Sequence, residues 1–202
     1  MYKGVKMEKR EYSILRKTEE TEIKLRLNLD GQGRCKVQSG IGFFDHMLTL
    51  FSKHGLFDLD LEIKGDLDVD GHHSVEDAGI CLGQAFRQAL GDCKGINRYA
   101  SCLLPMDEAL CQMATDISNR PHLTFSVPLK ESTVGGFSPE LLEEFLQAFV
   151  SNARITLHVN LLAGKNQHHI IESCFKALGR CLDQATFVNG RQQGVPSTKG
   201  VL

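Results

Sequence analysis

Gly71-His72-His73-Ser74-Val75-Glu76-Asp77 stands where an acidic loop gives way to an apolar run, and its reading decides the fold. On a helix, His72 and Glu76 are four apart and share a face, while His73 lies about 100° further round. One helix start can therefore aim two imidazoles in different directions. The chain has eight His, half of them in two His-His pairs. The second pair, His168-His169-Ile170-Ile171-Glu172, repeats the same offsets 96 positions downstream, and Leu82-Gly83 and Leu178-Gly179 keep that spacing. A lone HHxxE reads equally well as an exposed helix start. Two copies at one spacing read as a duplicated ligand set.

Working outward, the same order of elements appears on both sides. In the first half, Ser13–Thr18 can form a strand, and Ile23, Leu25, Leu27 and Leu29 alternate with polar residues up to the Asp30-Gly31 turn. Residues 34–38 then read as the returning strand. Phe43, Phe44, Met47, Leu48 and Phe51 fall at helical spacing, Phe57 to Ile63 alternate again, and a helix is expected from about His73 to Leu90, ended by Gly91 and Gly95. In the second half, residues 109–117 and 123–127 read as strands. Pro139 opens a helix through Phe149, residues 155–159 alternate, and 168–187 form the second long helix. The expectation is an α+β fold of two strand-helix-strand-helix halves, residues 1–95 and 96–202, with helices on one face of mostly antiparallel sheets, together one catalytic domain.

With 202 residues, one domain or two small fused ones can bury an ample core, and a net charge of −2 gives no reason to expect nucleic acid or a membrane surface. No apolar run approaches the ~18 residues of a membrane span, and the N-terminal Met1-Tyr2-Lys3-Gly4-Val5-Lys6 lacks the apolar core of a leader. Seven Cys without a CxxC pair indicate reduced thiols in a soluble, cytoplasmic protein.

Imidazole and carboxylate donors suit Mn²⁺, Fe²⁺, Ni²⁺ or Zn²⁺. The candidate ligands are His46, His72, His73, Glu76, Glu144, His168, His169 and Glu172. Glu144 enters by overlay: Phe43–Leu48 lie over Leu141–Leu146 at a spacing of 98, which puts Glu144 where the first half has His46. His54 beside Gly55 has a helix C-cap as its alternative reading, His158 a strand surface, and His122 a loop or strand edge. HExxH, its inverted form, the ferritin-like ExxH, a Walker loop and GxGxxG are all absent. A second, basic set, Arg98, Arg120, Ser197 and Lys199, lies in turn-rich segments and could hold a phosphate monoester if the segments converge.

These residues resemble the imidazoleglycerol-phosphate dehydratase family of histidine biosynthesis. The resemblance is carried by Thr18-Glu19-Glu20-Thr21, Gly40-Ile41-Gly42-Phe43-Phe44-Asp45-His46-Met47-Leu48, Asp68-Val69-Asp70-Gly71-His72-His73-Ser74-Val75-Glu76-Asp77, Gly95-Ile96-Asn97-Arg98-Tyr99, Pro105-Met106-Asp107-Glu108-Ala109-Leu110, Asn166-Gln167-His168-His169 and Pro196-Ser197-Thr198-Lys199-Gly200-Val201-Leu202. It implies two Mn²⁺ per active site on the ligands above, Glu144 being the position where some members carry His. It also implies a 24-subunit homo-oligomer with sites between subunits.

Catalytic roles fall by the resemblance to Glu20, His72, Glu76, His168 and Glu172. Substrate contacts fall to Glu20, His46, His54, His72, His73, Glu76, Arg98, Arg120, His168, His169, Glu172, Lys176, Ser197 and Lys199. Arg98, Arg120, Ser197 and Lys199 would take the phosphate. The C–H that must be lost is not acidic. Metals on the ring nitrogens would favour an imidazolate, which expels hydroxide to give a diazafulvene and so acidifies that C–H for a base, Glu20. A metal-storage shell and a dinuclear phosphoesterase are the competing readings of the same ligands.

Overall fold

The computed structural model describes residues 9–202, so the expectation about the first six residues lies outside it. The first half runs β1 (Glu11–Lys17), β2 (Thr21–Asn28), β3 (Cys35–Gln38), α1 (Gly42–Gly55), β4 (Asp58–Gly65) and α2 (His72–Leu90). The second runs β5 (Tyr99–Met106), β6 (Ala109–Asp116), β7 (His122–Ser126), α3 (Leu141–Ala153), β8 (Thr156–Ala163) and α4 (Gln167–Thr186). Each half builds one four-stranded sheet, ordered β1-β2-β4-β3 and β5-β6-β8-β7. The α+β class and its duplication are as expected.

Two expectations change. Residues 34–38 do not return against β2 as a hairpin; β4 takes that place, and β3 pairs parallel to β4 at the edge. The cause is hydrophobic supply. Leu25 and Leu27 of β2 face Leu61 and Leu59 of β4 in register, whereas β3 offers only the half-buried Cys35 and Val37. Helix α1 then serves as the crossover that parallel neighbours require. Asp58 secures the loop before β3 by accepting from the backbone N–H of Gln32 (2.8 Å) and Arg34 (3.0 Å). Strand β5 had no sequence reading. Its alternation is mostly exposed, and Pro105 sits in it without cost because β5 is an edge strand. In addition, α3 begins at Leu141 and not at Pro139, whose carbonyl accepts from the Leu142 N–H at 3.1 Å.

Each helix pair buries one side on its own sheet and the other against the opposite half: α1 packs on α4, and α2 on α3. Phe44, Phe145 and Phe175 meet there, with ring centroids 5.3 to 6.3 Å apart. Glycines permit the close approach. A Cβ on Gly83 would lie 2.5 Å from the Phe149 carbonyl and 2.9 Å from the Ala153 nitrogen of α3; one on Gly179 would meet the Phe51 carbonyl and lie 2.9 Å from the Gly55 nitrogen of α1. Gly83 and Gly179 are 96 apart, while Phe51 and Phe149 are 98 apart. The helices therefore hold the two registers of the sequence overlay, and Glu144 stands on α3 where His46 stands on α1.

Candidate metal centre and anion pocket

At both His-His helix starts the first histidine's N–H finds a side-chain oxygen two residues back, from Asn166, the N-cap of α4, and from Asp70, one residue ahead of Gly71, the N-cap of α2. The His72 N–H donates to Asp70 Oδ1 (2.7 Å) and the His168 N–H to Asn166 Oδ1 (2.9 Å), which relieves donors that no helical carbonyl can reach. On α4 the expected i,i+4 pairing is made: His168 Nε2 lies 3.0 Å from Glu172 Oε2. His46 Nε2, arriving from α1, is 3.7 Å from the same oxygen. One donor atom from each of His46, His168 and Glu172 fits within a 4.8 Å group. Glu172 is buried, which works against its charge. The ammonium of Lys176, 2.5 Å away, and His168 outweigh that, so the carboxyl sits below its ordinary pKa. Lys176, expected among the substrate contacts, is paired here with Glu172.

In the first half, His72 Nε2 and Glu76 Oε2 are 3.9 Å apart. Glu144 is exposed at the position equivalent to His46. Among the described residues, His46, His168 and Glu172 are the one set drawn that tightly together; His72, Glu76 and Glu144 are not.

The outer histidine of each pair is held by a carboxylate that the sequence reading did not assign to it. His73 Nδ1 lies 2.9 Å from Asp66 Oδ2, and His169 Nδ1 lies 2.7 Å from Glu108 Oε2. Both imidazole pKa values are raised, first by these hydrogen bonds. Glu108 is drawn down to about 2 by His169 and by the Asn166 and Lys165 N–H groups. A carboxylate on Nδ1 fixes the ring and leaves Nε2 available to donate to a metal ion. The Nε2 atoms face further acids: Glu20 Oε1 at 3.6 Å from His73, and Asp107 Oδ2 at 3.8 Å from His169. A signal for these partners existed, since Glu19-Glu20 and Asp107-Glu108 are paired acids immediately before the equivalent strands β2 and β6.

The basic segments do converge. Arg98, Arg120, Ser197 and Lys199 line one cleft of about 1120 Å³. Within it Arg98 is already engaged. It donates to Asp116 (2.7 and 3.2 Å) and to the Pro196 carbonyl (2.9 Å), and its guanidinium lies over Tyr99. Arg98 thus secures the tail that presents Ser197 and Lys199. Arg98 and Asn97 also bond to the carbonyls of Ala185 and Phe187, which puts the cleft at the C-terminal end of α4. At 1.5 Å per residue, about 26 Å of helix separate His168 from Ala185. His54 lies in α1 ahead of the actual cap residue Leu56, its pKa lowered by burial and then by Lys176 and Arg180. His122 and His158 pair with each other on the second sheet, ring centroids 5.9 Å apart.

A sequence model of the imidazoleglycerol-phosphate dehydratase family matches residues 39–182. The chain belongs to that family. It is 56% identical over 193 residues to the imidazoleglycerol-phosphate dehydratase of Acetivibrio thermocellus, covering 96% of this chain and 99% of that one. To that of Thermoanaerobacter pseudethanolicus it is 57% identical, covering 96% and 100%. Crystal structures of the Staphylococcus aureus and Pyrococcus furiosus imidazoleglycerol-phosphate dehydratases, the latter in complex with (S)-C348, superpose with a TM-score of 0.81 each. Their identities are 40% and 36%, covering 89% and 94% of this chain and 99% and 100% of theirs. The chain is thus an enzyme of the dehydratase family, and no helix among its described residues is long and apolar enough to cross a membrane.

Proposed function

We propose that the chain dehydrates D-erythro-imidazole glycerol phosphate to imidazole acetol phosphate in histidine biosynthesis, in the cytoplasm, with two Mn²⁺ per site. The observation that carries the metal reading is the His46–His168–Glu172 group together with the two histidines clamped at Nδ1 by Asp66 and Glu108. Nitrogen and carboxylate donors of this kind fit manganese, and Asp66 Oδ1, buried without a partner, adds a free acceptor beside His73. His46, His72, His73, Glu76, His168, His169 and Glu172 would hold the ions, with Glu144 taking the His46 role in the other half. Bound manganese would supply Lewis acidity toward the imidazole nitrogens of the substrate, favouring the ring anion that assists departure of hydroxide.

The chain's own residues do the rest. Glu20, exposed at the β1–β2 turn and 3.6 Å from His73, takes the C–H proton and returns it as the enol becomes a ketone. Arg120, Ser197 and Lys199 bind the phosphate, with Arg98 holding their segment in place. The cleft lies a whole helix from the His168–His169 pair, far more than a three-carbon phosphate ester can span. A cleft of one subunit serving the ligands of another would meet that span, which supports sites shared between subunits of a 24-subunit shell.

The deciding assay is purified protein with imidazole glycerol phosphate and Mn²⁺. The expected product carries a new carbonyl and keeps its phosphate. Released inorganic phosphate would indicate a phosphoesterase, and manganese uptake without turnover a storage protein. Glu20→Ala is expected to retain metal while turnover falls by about 10²–10⁴. Native mass spectrometry is expected to show twenty-four copies of the 22.4 kDa chain.

A further inference from the structure

The β1–β2 turn is closed locally by Thr18, whose hydroxyl accepts from the N–H groups of Glu20 (3.2 Å) and Thr21 (3.0 Å). It is also tied across the fold. The Thr21 hydroxyl donates to Asp77 Oδ2, and Arg16 Nη1 pairs with the same oxygen as an ion contact, without a well-directed hydrogen bond. Thr21 and Asp77 are 3% and 6% exposed, so water does not compete. Asp77 belongs to α2, next to Glu76 and one turn from His72 and His73.

The duplicated half supplies an internal control. Arg16 and Thr21 correspond to Leu104 and Ala109 by strand pairing, since Arg16 faces Ile23 as Leu104 faces Cys111. Asp77 corresponds to Ser173 by the 96-residue spacing. All three polar members are therefore replaced together, and Ser173 turns back to the Ile170 carbonyl. The turn carboxylates differ in step with this change. Glu108 is held by His169 and by the N–H groups of Lys165 (3.2 Å) and Asn166 (2.8 Å). In the first half Asp66 has taken over the clamping of the histidine, and Glu20 is left with a side chain 54% exposed and free to move a proton. A carboxylate that binds nothing firmly must have its backbone placed by other means, because a proton carrier works only within about 0.5 Å of its productive position.

We propose that Thr21, Asp77 and Arg16 form a clasp whose task is to position Glu20: it locks the β1–β2 turn to the α2 helix start, so that Glu20 keeps its distance from the metal-binding histidines. The three are positioning residues, and the proposal rests on Glu20 being the proton carrier. Thr21→Val tests it best, because it removes one hydroxyl at nearly constant volume and leaves the Arg16–Asp77 pair intact.

The expected result is a kcat reduced about ten- to a hundredfold, with KM, manganese content and subunit assembly unchanged. Hydrogen exchange should be faster at residues 18–21 of the metal-free protein, and Thr21→Ser should restore wild-type values. Wild-type kcat in Thr21→Val, or a loss of kcat that Thr21→Ser does not reverse, would overturn the clasp. So would loss of manganese or assembly in step with activity. Failure of the underlying reading shows separately, as Glu20→Ala with undiminished turnover. In a Glu20→Ala background, Thr21→Val is expected to lower kcat no further; a full additional drop would mean that Thr21 acts otherwise than through Glu20.

Discussion

Gly179→Ala adds one methyl group at the contact between α1 and α4, where the structure leaves no room. The new Cβ would meet the Phe51 carbonyl and lie 2.9 Å from the Gly55 nitrogen, both main-chain atoms of α1 that no rotamer change can move. Ordinary contact begins near 3.4 Å, so the helices must part by at least about 0.5 Å in an interior packed as densely as a crystal. Overpacking of this kind costs about 1–3 kcal/mol, and the better helix propensity of Ala returns about 1 kcal/mol. The net loss, about 0–2 kcal/mol, corresponds to a Tm lower by up to about 8 °C at this chain length.

The displacement also reaches the site, because α1 carries His46 and α4 carries His168 and Glu172. A His46–Glu172 separation already at 3.7 Å would widen, which weakens any metal held between them, and a misplacement approaching 1 Å costs on the order of 10²-fold in turnover. Gly42→Ala is the control: it is the same change in α1 at a position where a Cβ meets nothing within 4 Å. Differential scanning fluorimetry and manganese titration of both variants provide the assay. Equal Tm and equal manganese affinity in the two would refute the close packing of α1 on α4 as the device that assembles the candidate ligands.

Asp66→Asn and Glu108→Gln each remove the charge that orients an outer histidine, and manganese affinity is expected to fall about 10–100-fold in calorimetric titration, while Asp107→Asn changes it less. Lys199→Ala is expected to raise KM for the phosphorylated substrate with kcat nearly preserved, measured in steady-state kinetics; a fall in kcat alone would contradict the phosphate assignment. Asp58 is ionised more readily than usual: burial opposes it, but the Gln32 and Arg34 N–H donors outweigh burial. A carboxyl with a depressed folded pKa contributes its stability above the unfolded value, here 3.8, and loses it as pH falls through the lower folded value. Asp58→Ala should therefore lower stability by about 1–3 kcal/mol at pH 7 in urea unfolding, and the deficit should shrink below pH 3.8.

The α+β class, the duplication, both long helices and the two registers of 96 and 98 were legible in the sequence alone, because amphipathic periodicity and repeated ligand spacing are local properties of the chain. The pairing of His168 with Glu172 was legible for the same reason, being set by one turn of helix. What joined His46 to them was the contact of α1 with α4, made possible by Gly179 and invisible to any local pattern. The β4 insertion between β2 and β3 was likewise decided by competition for buried partners, which depends on the whole sheet. Asp66, Asp107 and Glu108 had no role assigned by the sequence until strands and helix starts placed them against the histidines. Arg98 was expected to take phosphate, and only the fold showed its guanidinium paired with Asp116. Side chains brought together from distant segments owe their meeting to the packing of the core, and only the folded chain shows which of them meet.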